Sequence, residues 1–203
     1  MTDQSPRTMT RADPQKYQRL LDTAAEQFAR LGFDRANIDA IALRAGVGKG
    51  TVYLYFESKA TLFRAVLAQV RQRLETTFPP DPGADAAVAL RVLIRAHLRL
   101  ADAAPDLFRC YTSALFGVNR DFQDTALAIF RWQQDAVHML LGQVDPSTTA
   151  DRRDARAALL AGSMLAAGLI RGLRQGGDQS TELEETALLH GVLGPQRARQ
   201  ALV

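Results

Sequence analysis

Residues 38–56, IDAIALRAGVGKGTVYLYF, are the stretch that decides the fold. Apolar residues recur at helical spacing in its first half: Ile38, Ile41, Ala42 and Ala45. This spacing predicts a short helix with one apolar stripe, which Asn37 can cap. Gly46 ends that helix, because a turn this tight needs a residue that tolerates positive φ. A second helix is predicted from Lys49, so the pattern is that of a helix-turn-helix DNA-binding unit.

The second helix of this pair is predicted to have a polar outer face. Val52 and Phe56 can pack inward, which leaves five residues for other surfaces: Lys49, Gly50, Thr51, Tyr53 and Tyr55. Lysine, threonine and tyrosine side chains donate to phosphate oxygens, and glycine lets a backbone approach closely. The pattern therefore favours contact with a DNA groove. The alternative is a solvated helix hairpin whose tyrosines only cover the neighbouring core.

The sequence on both sides extends this pattern into a family resemblance. FARLGFDRANI precedes the helix pair and ESKATLF follows it. From Gln15 to Phe63 the chain resembles the N-terminal domain of the TetR family of bacterial transcriptional regulators. In that family, an AGV turn followed by KGTxYxYFxSKxxLF is a highly specific motif.

The resemblance implies roles for individual residues at DNA. It assigns phosphate contacts to Lys49, Thr51, Tyr53 and Lys59, and it places Gly50 and Tyr55 nearest the bases. The predicted DNA-binding set also includes Asn37, Arg44 and Gly48. The chain has Ala36 where the family often has Thr, and Gly48 where it often has Ser. These changes remove one hydroxyl that can contact phosphate and the side-chain cap of the recognition helix.

Length and composition favour a water-soluble protein without metal or cofactor. With 203 residues and 47% hydrophobic content, the chain can form one large or two modest domains. The apolar stretch 162–170 is shorter than the roughly 18 residues of a membrane span, and the N-terminus has no apolar signal region, so we expect a cytoplasmic protein. Cys110 is the single cysteine, and the three histidines lack metal-ligand spacing.

The charge is concentrated around the helix-turn-helix. The chain carries a net charge of +3. Residues 44–73 have six cations and one anion, a local charge of +5, so the remainder sums to −2. A basic region at this place predicts a general attraction to DNA phosphates that weakens with salt.

The whole chain is predicted to be helical. A flexible arm over 1–13 precedes a helix-turn-helix domain over 14–60, a connecting helix over 61–78 and a ligand-binding and dimerisation domain over 79–203. The first helix starts at Pro14, capped by Asp13, and ends near Gly32. FPPDPG at 78–83 marks the domain boundary. Later helices are expected at about 84–104, 105–116, 120–143, 150–175 and 183–193.

Small residues on the predicted helix from Ala150 indicate a close helix contact. This row and its neighbours comprise Leu159, Gly162, Ser163, Ala166 and Ile170, and the facing residues are Leu183, Ala187 and Leu188. The contact could be internal to the subunit. The TetR resemblance implies the other interpretation, in which the last two long helices of each subunit form a four-helix dimer interface.

Aromatic and soft residues in the middle helices are the candidates for a ligand site. They are His97, Phe108, Cys110, Tyr111, Phe116, Phe130 and Met164. In a helical domain such residues can simply be core. The family resemblance implies that they line a small-molecule pocket, apolar with a few polar groups. A sensing role for the Cys110 thiol is a minor alternative.

These patterns together predict a ligand-responsive regulator rather than an enzyme. No nucleotide-binding loop, nucleophile elbow or HExxH motif is present, and GVGKGT lacks the spacing of a phosphate loop. We expect a homodimeric repressor that binds a palindromic double-stranded operator and is released by a small-molecule effector. An activator of the same fold, or a helical enzyme or interaction protein with a vestigial DNA reader, remains an alternative.

Overall fold

A computed structural model of the chain describes residues 13–77, 85–173, 181–194 and 198. Within these ranges every regular element is an α-helix, which confirms the predicted all-α class. The helices are α1 (Pro14–Arg35), α2 (Ile38–Arg44), α3 (Lys49–Tyr55), α4 (Lys59–Thr77), α5 (Ala86–Ala103), α6 (Pro105–Leu115), α7 (Arg120–Val144), α8 (Ala150–Leu173) and α9 (Thr181–Leu193). The predicted arm, apart from Asp13, and the predicted breaker at 78–83 lie outside the described residues.

Local side-chain caps explain where the first helices begin. Asp13 Oδ1 accepts the backbone N–H of Gln15 at 3.0 Å, and Pro14 occupies the first turn of α1. Asn37 Oδ1 accepts the N–H of Asp39 at 2.8 Å and caps α2. Both caps confirm the prediction. Gly32 has φ 76° and kinks α1, but the helix then continues to Arg35, three residues beyond its predicted end.

The turn between α2 and α3 needs a left-handed residue. Gly46 adopts φ 68°, as predicted, and the N–H of Val47 donates to the carbonyl of Ala42 at 3.0 Å. These features let the chain turn from α2 into α3 within a few residues. Gly48 then caps α3 without any side-chain hydrogen bond, which confirms the effect expected from a missing hydroxyl.

The described residues divide into two compact units, and the division falls between Val66 and Leu67, inside α4. The first unit contains α1, α2, α3 and the start of α4. Its core includes a cluster of aromatic rings, in which Phe63 lies 4.9 Å from Phe28 and 5.5 Å from Phe33 between ring centroids. Within the same unit, α2 packs against α1 and α3 packs against α2.

The second unit is a helical bundle in which α8 packs against α5 and α7. Its main apolar cluster draws residues from α5, α7, α8 and α9, including Leu93, Ile94, Leu98, Val137, Leu140, Leu160, Met164 and Leu189. Because all four helices contribute large, fully buried side chains, this cluster is the principal source of the unit's stability.

Two ionic clusters tie α9 to the rest of this bundle. Glu185 on α9 is completely buried; it accepts from Arg91, and Arg95 donates to it through Nε at 2.8 Å and Nη2 at 3.0 Å. Arg171 on α8 donates to Glu184 at 2.7 Å and also pairs with Asp102. A buried carboxylate needs such partners to offset its desolvation. The orientation of α9 on α5 and α8 is therefore specified by charge as well as by apolar packing.

Candidate functional site

The outer face of α3 is exposed in the described structure. Val52 and Phe56 are buried, which confirms their predicted inward packing. The exposed residues of α3 are Lys49, Gly50, Tyr53 and Leu54, and Thr51 is half-buried. Gly50 has open space around it, since a Cβ there would meet no atom within 4 Å. The helix therefore exposes the ammonium group of Lys49 and the hydroxyl of Tyr53, while Gly50 has no side chain that would keep another molecule away from the helix backbone.

Carboxylates on the first two helices already pair with two of the predicted DNA-contacting cations. Lys49 Nζ lies 3.0 Å from Asp39, and this hydrogen bond raises the pKa of Lys49. Arg44 Nη2 lies 2.6 Å from Glu26 Oε2. Glu26 and Asp39 both precede the stretch 44–73, so their negative charges are not counted in its local charge of +5. Because they pair with two of its cations, the positive charge available to DNA is smaller than +5.

Tyr55 does not lie on the exposed face of α3, where the resemblance placed it. Its hydroxyl accepts the N–H of Asp13 at 3.1 Å, and its ring centroid lies 5.8 Å from that of Tyr17. The ring is half-buried against the start of α1. The helical turn of α3 directs the Tyr55 side chain toward α1. We therefore correct the expectation that Tyr55 lies nearest the bases.

Lys59 also has a different environment from the one expected of a phosphate contact. Its Nζ donates to the carbonyls of Asp34 at 3.0 Å and Ala36 at 3.1 Å, and it lies 4.6 Å from the centroid of the Phe33 ring. A lysine in this position satisfies carbonyls that end α1 and stabilises the helix C-terminus. Lys59 therefore has a structural role. A DNA phosphate that bound Lys59 would have to share its ammonium group with these two carbonyls.

The remaining predicted DNA-binding residues lie at helix starts. Asn37 is exposed and already uses its side chain as the cap of α2, and Gly48 is exposed at the start of α3. The structure therefore brings Gly48, Lys49, Gly50 and Tyr53 together at one surface. Leu54, which the sequence analysis left out, is the most exposed side chain of this surface at 85%. A helical projection from Val52 would have placed it on the outer side.

The predicted ligand-site residues separate into buried and exposed groups. His97, Phe108, Cys110, Tyr111 and Met164 are buried within the second unit. His97 Nδ1 lies 2.7 Å from Gln133 Nε2, and the Phe108 ring packs edge-on against the His97 ring at 5.5 Å between centroids. Phe130 is half-buried. Phe116 is 67% exposed at the C-cap of α6, where the helix has ended. We therefore remove Phe116 from the predicted ligand-site residues.

Burial keeps the titratable groups of this region neutral. It lowers the pKa of His97 to about 4 and raises the pKa of the Cys110 thiol to about 12. Burial also raises the pKa of Tyr111, whose hydroxyl has no hydrogen-bond partner among the described residues. A thiol with so high a pKa has almost no thiolate at neutral pH, which disfavours a sensing role for Cys110.

The predicted interface residues form an apolar surface on α8 and α9. Leu159, Ser163, Ala166 and Ile170 are exposed on α8, and Leu183 and Ala187 are exposed on α9. Gly162 and Leu188 are half-buried, and Leu188 also packs against the apolar cluster of the bundle. Leu159 and Leu183 are each 71% exposed. The other described residues thus leave Leu159, Ser163, Ala166 and Ile170 exposed, whereas Gly162 and Leu188 are partly covered within the subunit.

The described residues contain neither a membrane-spanning helix nor a metal-binding cluster. No helix there is long and apolar enough to cross a membrane. No group of three or more His, Cys, Asp or Glu side chains in the same ranges is arranged to hold a metal ion.

Comparison with known proteins adds evidence for the first unit. Residues 20–66 match the model of the family described as bacterial regulatory proteins, tetR family. The chain is 44% identical over 66 residues to the HTH-type transcriptional regulator SrpR of Pseudomonas putida, a match that covers 32% of this chain and 31% of that protein. Residues 20–66 are therefore similar to the DNA-binding domain of the tetR family. The match spans 31% to 49% of the length of the first curated relatives, most of which are named as transcriptional regulators.

Solved structures of transcriptional regulators resemble the chain over most of its length. A TetR-like transcriptional regulator from Rhodococcus sp. RHA1 has a TM-score of 0.72 and 26% identity, and the match covers 93% of this chain and 100% of that one. The regulator FadR from Bacillus subtilis, solved in complex with stearoyl-CoA, has a TM-score of 0.68 and 22% identity, covering 89% of this chain and 100% of that one. The second structure shows likeness of fold alone. The regulator names support the prediction that the chain is not an enzyme.

Proposed function

We propose that the chain is a cytoplasmic, DNA-binding transcriptional regulator that acts as a homodimeric repressor. The single observation that carries this proposal is the exposed surface of α3, where Lys49, Gly50 and Tyr53 lie together inside the residues that match the TetR family model. In such a unit, α3 enters the major groove while flanking groups contact phosphates. The basic stretch around it supports attraction to DNA.

The apolar surface of α8 and α9 supports the homodimer. A two-fold interface uses the same patch on both subunits, so one self-complementary surface is enough. Small exposed residues at Ser163 and Ala166 allow two α8 helices to approach closely, and Leu159 and Leu183 supply apolar area. Two α3 helices held about 34–36 Å apart would then match successive major grooves on one face of DNA.

The effector is proposed to bind in the second unit, among the buried residues around Tyr111. A buried hydroxyl without a partner is unfavourable, and a ligand that accepts or donates one hydrogen bond there would offset that cost. The Phe108 ring packs against the Tyr111 ring at 6.2 Å between centroids, which favours a mainly apolar small molecule. Stearoyl-CoA is the first probe, because the structurally similar FadR of Bacillus subtilis was solved with it.

Selection of bound DNA from a random pool tests the proposed function. We expect the full chain to recover a palindrome whose half-sites lie about one helical turn apart. Recovery of unrelated sequences, or of none, would contradict a sequence-specific regulator. Transcription from a promoter carrying the recovered site then decides between repressor and activator, and stearoyl-CoA added to the complex tests release.

The ion pair between Lys49 and Asp39 leads to a quantitative prediction. Asp39→Asn frees the Lys49 ammonium for phosphate, so binding to every DNA sequence should strengthen by about two- to fivefold, the range of an exposed ion pair. Lys49→Ala should weaken binding and lower the slope of log affinity against log salt by about one. Salt-dependent binding isotherms measure both effects.

Asp22→Asn is the matched control for this prediction. Asp22 is an exposed carboxylate on α1 that accepts from Gln18 at 2.8 Å, and its substitution changes the net charge by the same amount. An equal gain in affinity from Asp22→Asn and Asp39→Asn would indicate a general charge effect and argue against release of Lys49.

A further inference from the structure

Leu54 occupies an unusual place on the surface of α3. Residues two apart on a helix point about 200° from each other, so Leu54 lies opposite the buried Val52. Gly50 lies one turn earlier on the same side, and it has no side chain to cover Leu54. Leu54 is therefore an isolated apolar side chain on the face of α3 opposite its buried face.

The neighbours of Leu54 limit what can cover this projection. Tyr53 is exposed on the flank next to Leu54, and Lys49 is exposed further around the same flank; a hydroxyl and an ammonium group suit phosphates rather than an apolar protein surface. Tyr53 is 46% exposed and Leu54 is 85% exposed, so exposure increases toward the outer line of the helix. A partner that meets both kinds of group must combine phosphate anions with a small apolar patch.

The major groove of DNA offers that combination. The base edges there present hydrogen-bond donors and acceptors and one apolar group, the C5 methyl of thymine. We infer that Leu54 contacts the C5 methyl of one thymine in each operator half-site and so specifies a T·A pair at that position. This inference rests on the proposed function of α3 as the DNA-reading helix.

Replacement of thymine by deoxyuridine tests the contact directly, because uracil lacks only the methyl group and keeps the same base pairing. Each thymine of the selected operator is replaced in turn in both half-sites. We expect one position at which the wild-type chain binds about fourfold more weakly per half-site, the effect of one buried methyl-sized group. Leu54→Ala should bind the thymine and uracil operators equally at that position.

Two further variants make the result specific. Leu54→Gln keeps a long side chain without its apolar end, and it should also lose the preference for thymine. Leu43→Ala removes a leucine that is 80% exposed on α2 rather than on α3, and it should keep the wild-type preference. Circular dichroism of each variant checks that the fold is intact, as expected for substitutions of exposed side chains.

The outcomes separate this inference from the proposed function. If no palindrome is selected, the proposed function fails. If a palindrome is bound but uracil is accepted at every position, or if Leu54→Ala keeps the loss caused by uracil, the thymine contact is wrong while the regulator stands. A preference lost in Leu43→Ala as well as in Leu54→Ala would also overturn the assignment to α3.

Discussion

Ser163→Arg is expected to convert the proposed homodimer into monomers and to abolish operator binding at concentrations where the wild type is fully bound. Ser163 is exposed on α8 within the apolar surface, so a single subunit can accept arginine there. In a two-fold interface the substitution enters twice and buries two like charges. An uncompensated buried charge costs about 3–5 kcal/mol, so the dimer should weaken by more than 100-fold.

Sedimentation and operator titration of the same samples measure this effect. Ser113→Arg is the matched control, because Ser113 is an exposed serine on α6 rather than on α8 or α9. It should leave both dimer and operator affinity unchanged. A dimer that persists in Ser163→Arg would place the subunit interface elsewhere and remove the proposed role of the small-residue row.

Lowering the pH from 7.5 to 5 is expected to cost the wild-type chain about 2 kcal/mol of unfolding free energy through His97 alone. Burial holds the pKa of His97 at about 4, below its ordinary value of 6.5. Between these values the unfolded chain binds a proton at His97 and the folded chain does not. The contribution is therefore fully present above pH 6.5 and is lost as the pH falls toward 4.

Urea unfolding of the wild type and His97→Asn at both pH values isolates this contribution. The asparagine variant cannot take up the proton, so its unfolding free energy should fall by about 2 kcal/mol less than that of the wild type. Protein concentration is kept equal, since dimer formation also contributes to apparent stability. An identical fall in both proteins would mean that His97 is accessible to protons in the folded state.

Local rules predicted much of the fold from the sequence. The caps at Asp13 and Asn37 and the positive φ of Gly46 each depend on a few neighbouring residues, so the pattern alone locates them. Helix spacing likewise predicted the inward packing of Val52 and Phe56. The extent of α4 was also predictable, since no breaker interrupts it before residue 78.

Contacts between helices were harder to predict. The partner of Lys49 is ten residues away and that of Arg44 is eighteen, and nothing in spacing along one helix links them. Tyr55 was predicted to lie nearest the bases, but its side chain packs against the start of α1, whose position relative to α3 cannot be deduced from spacing along one helix. Phe116 was included for its residue type, although it follows the last turn of α6. In each case the missing information is tertiary distance rather than local preference.

The position of the boundary within α4 has a consequence for proteolysis. A protease needs an extended, unpaired segment, whereas Val66 and Leu67 are both buried within a continuous helix. A fragment that stops at Val66 would cut α4 after its second turn. It would leave Leu62 and Phe63, which belong to the core of the first unit, on a helical stub shorter than helices that persist alone. Cleavage between Val66 and Leu67 is therefore expected to be slow in the folded chain.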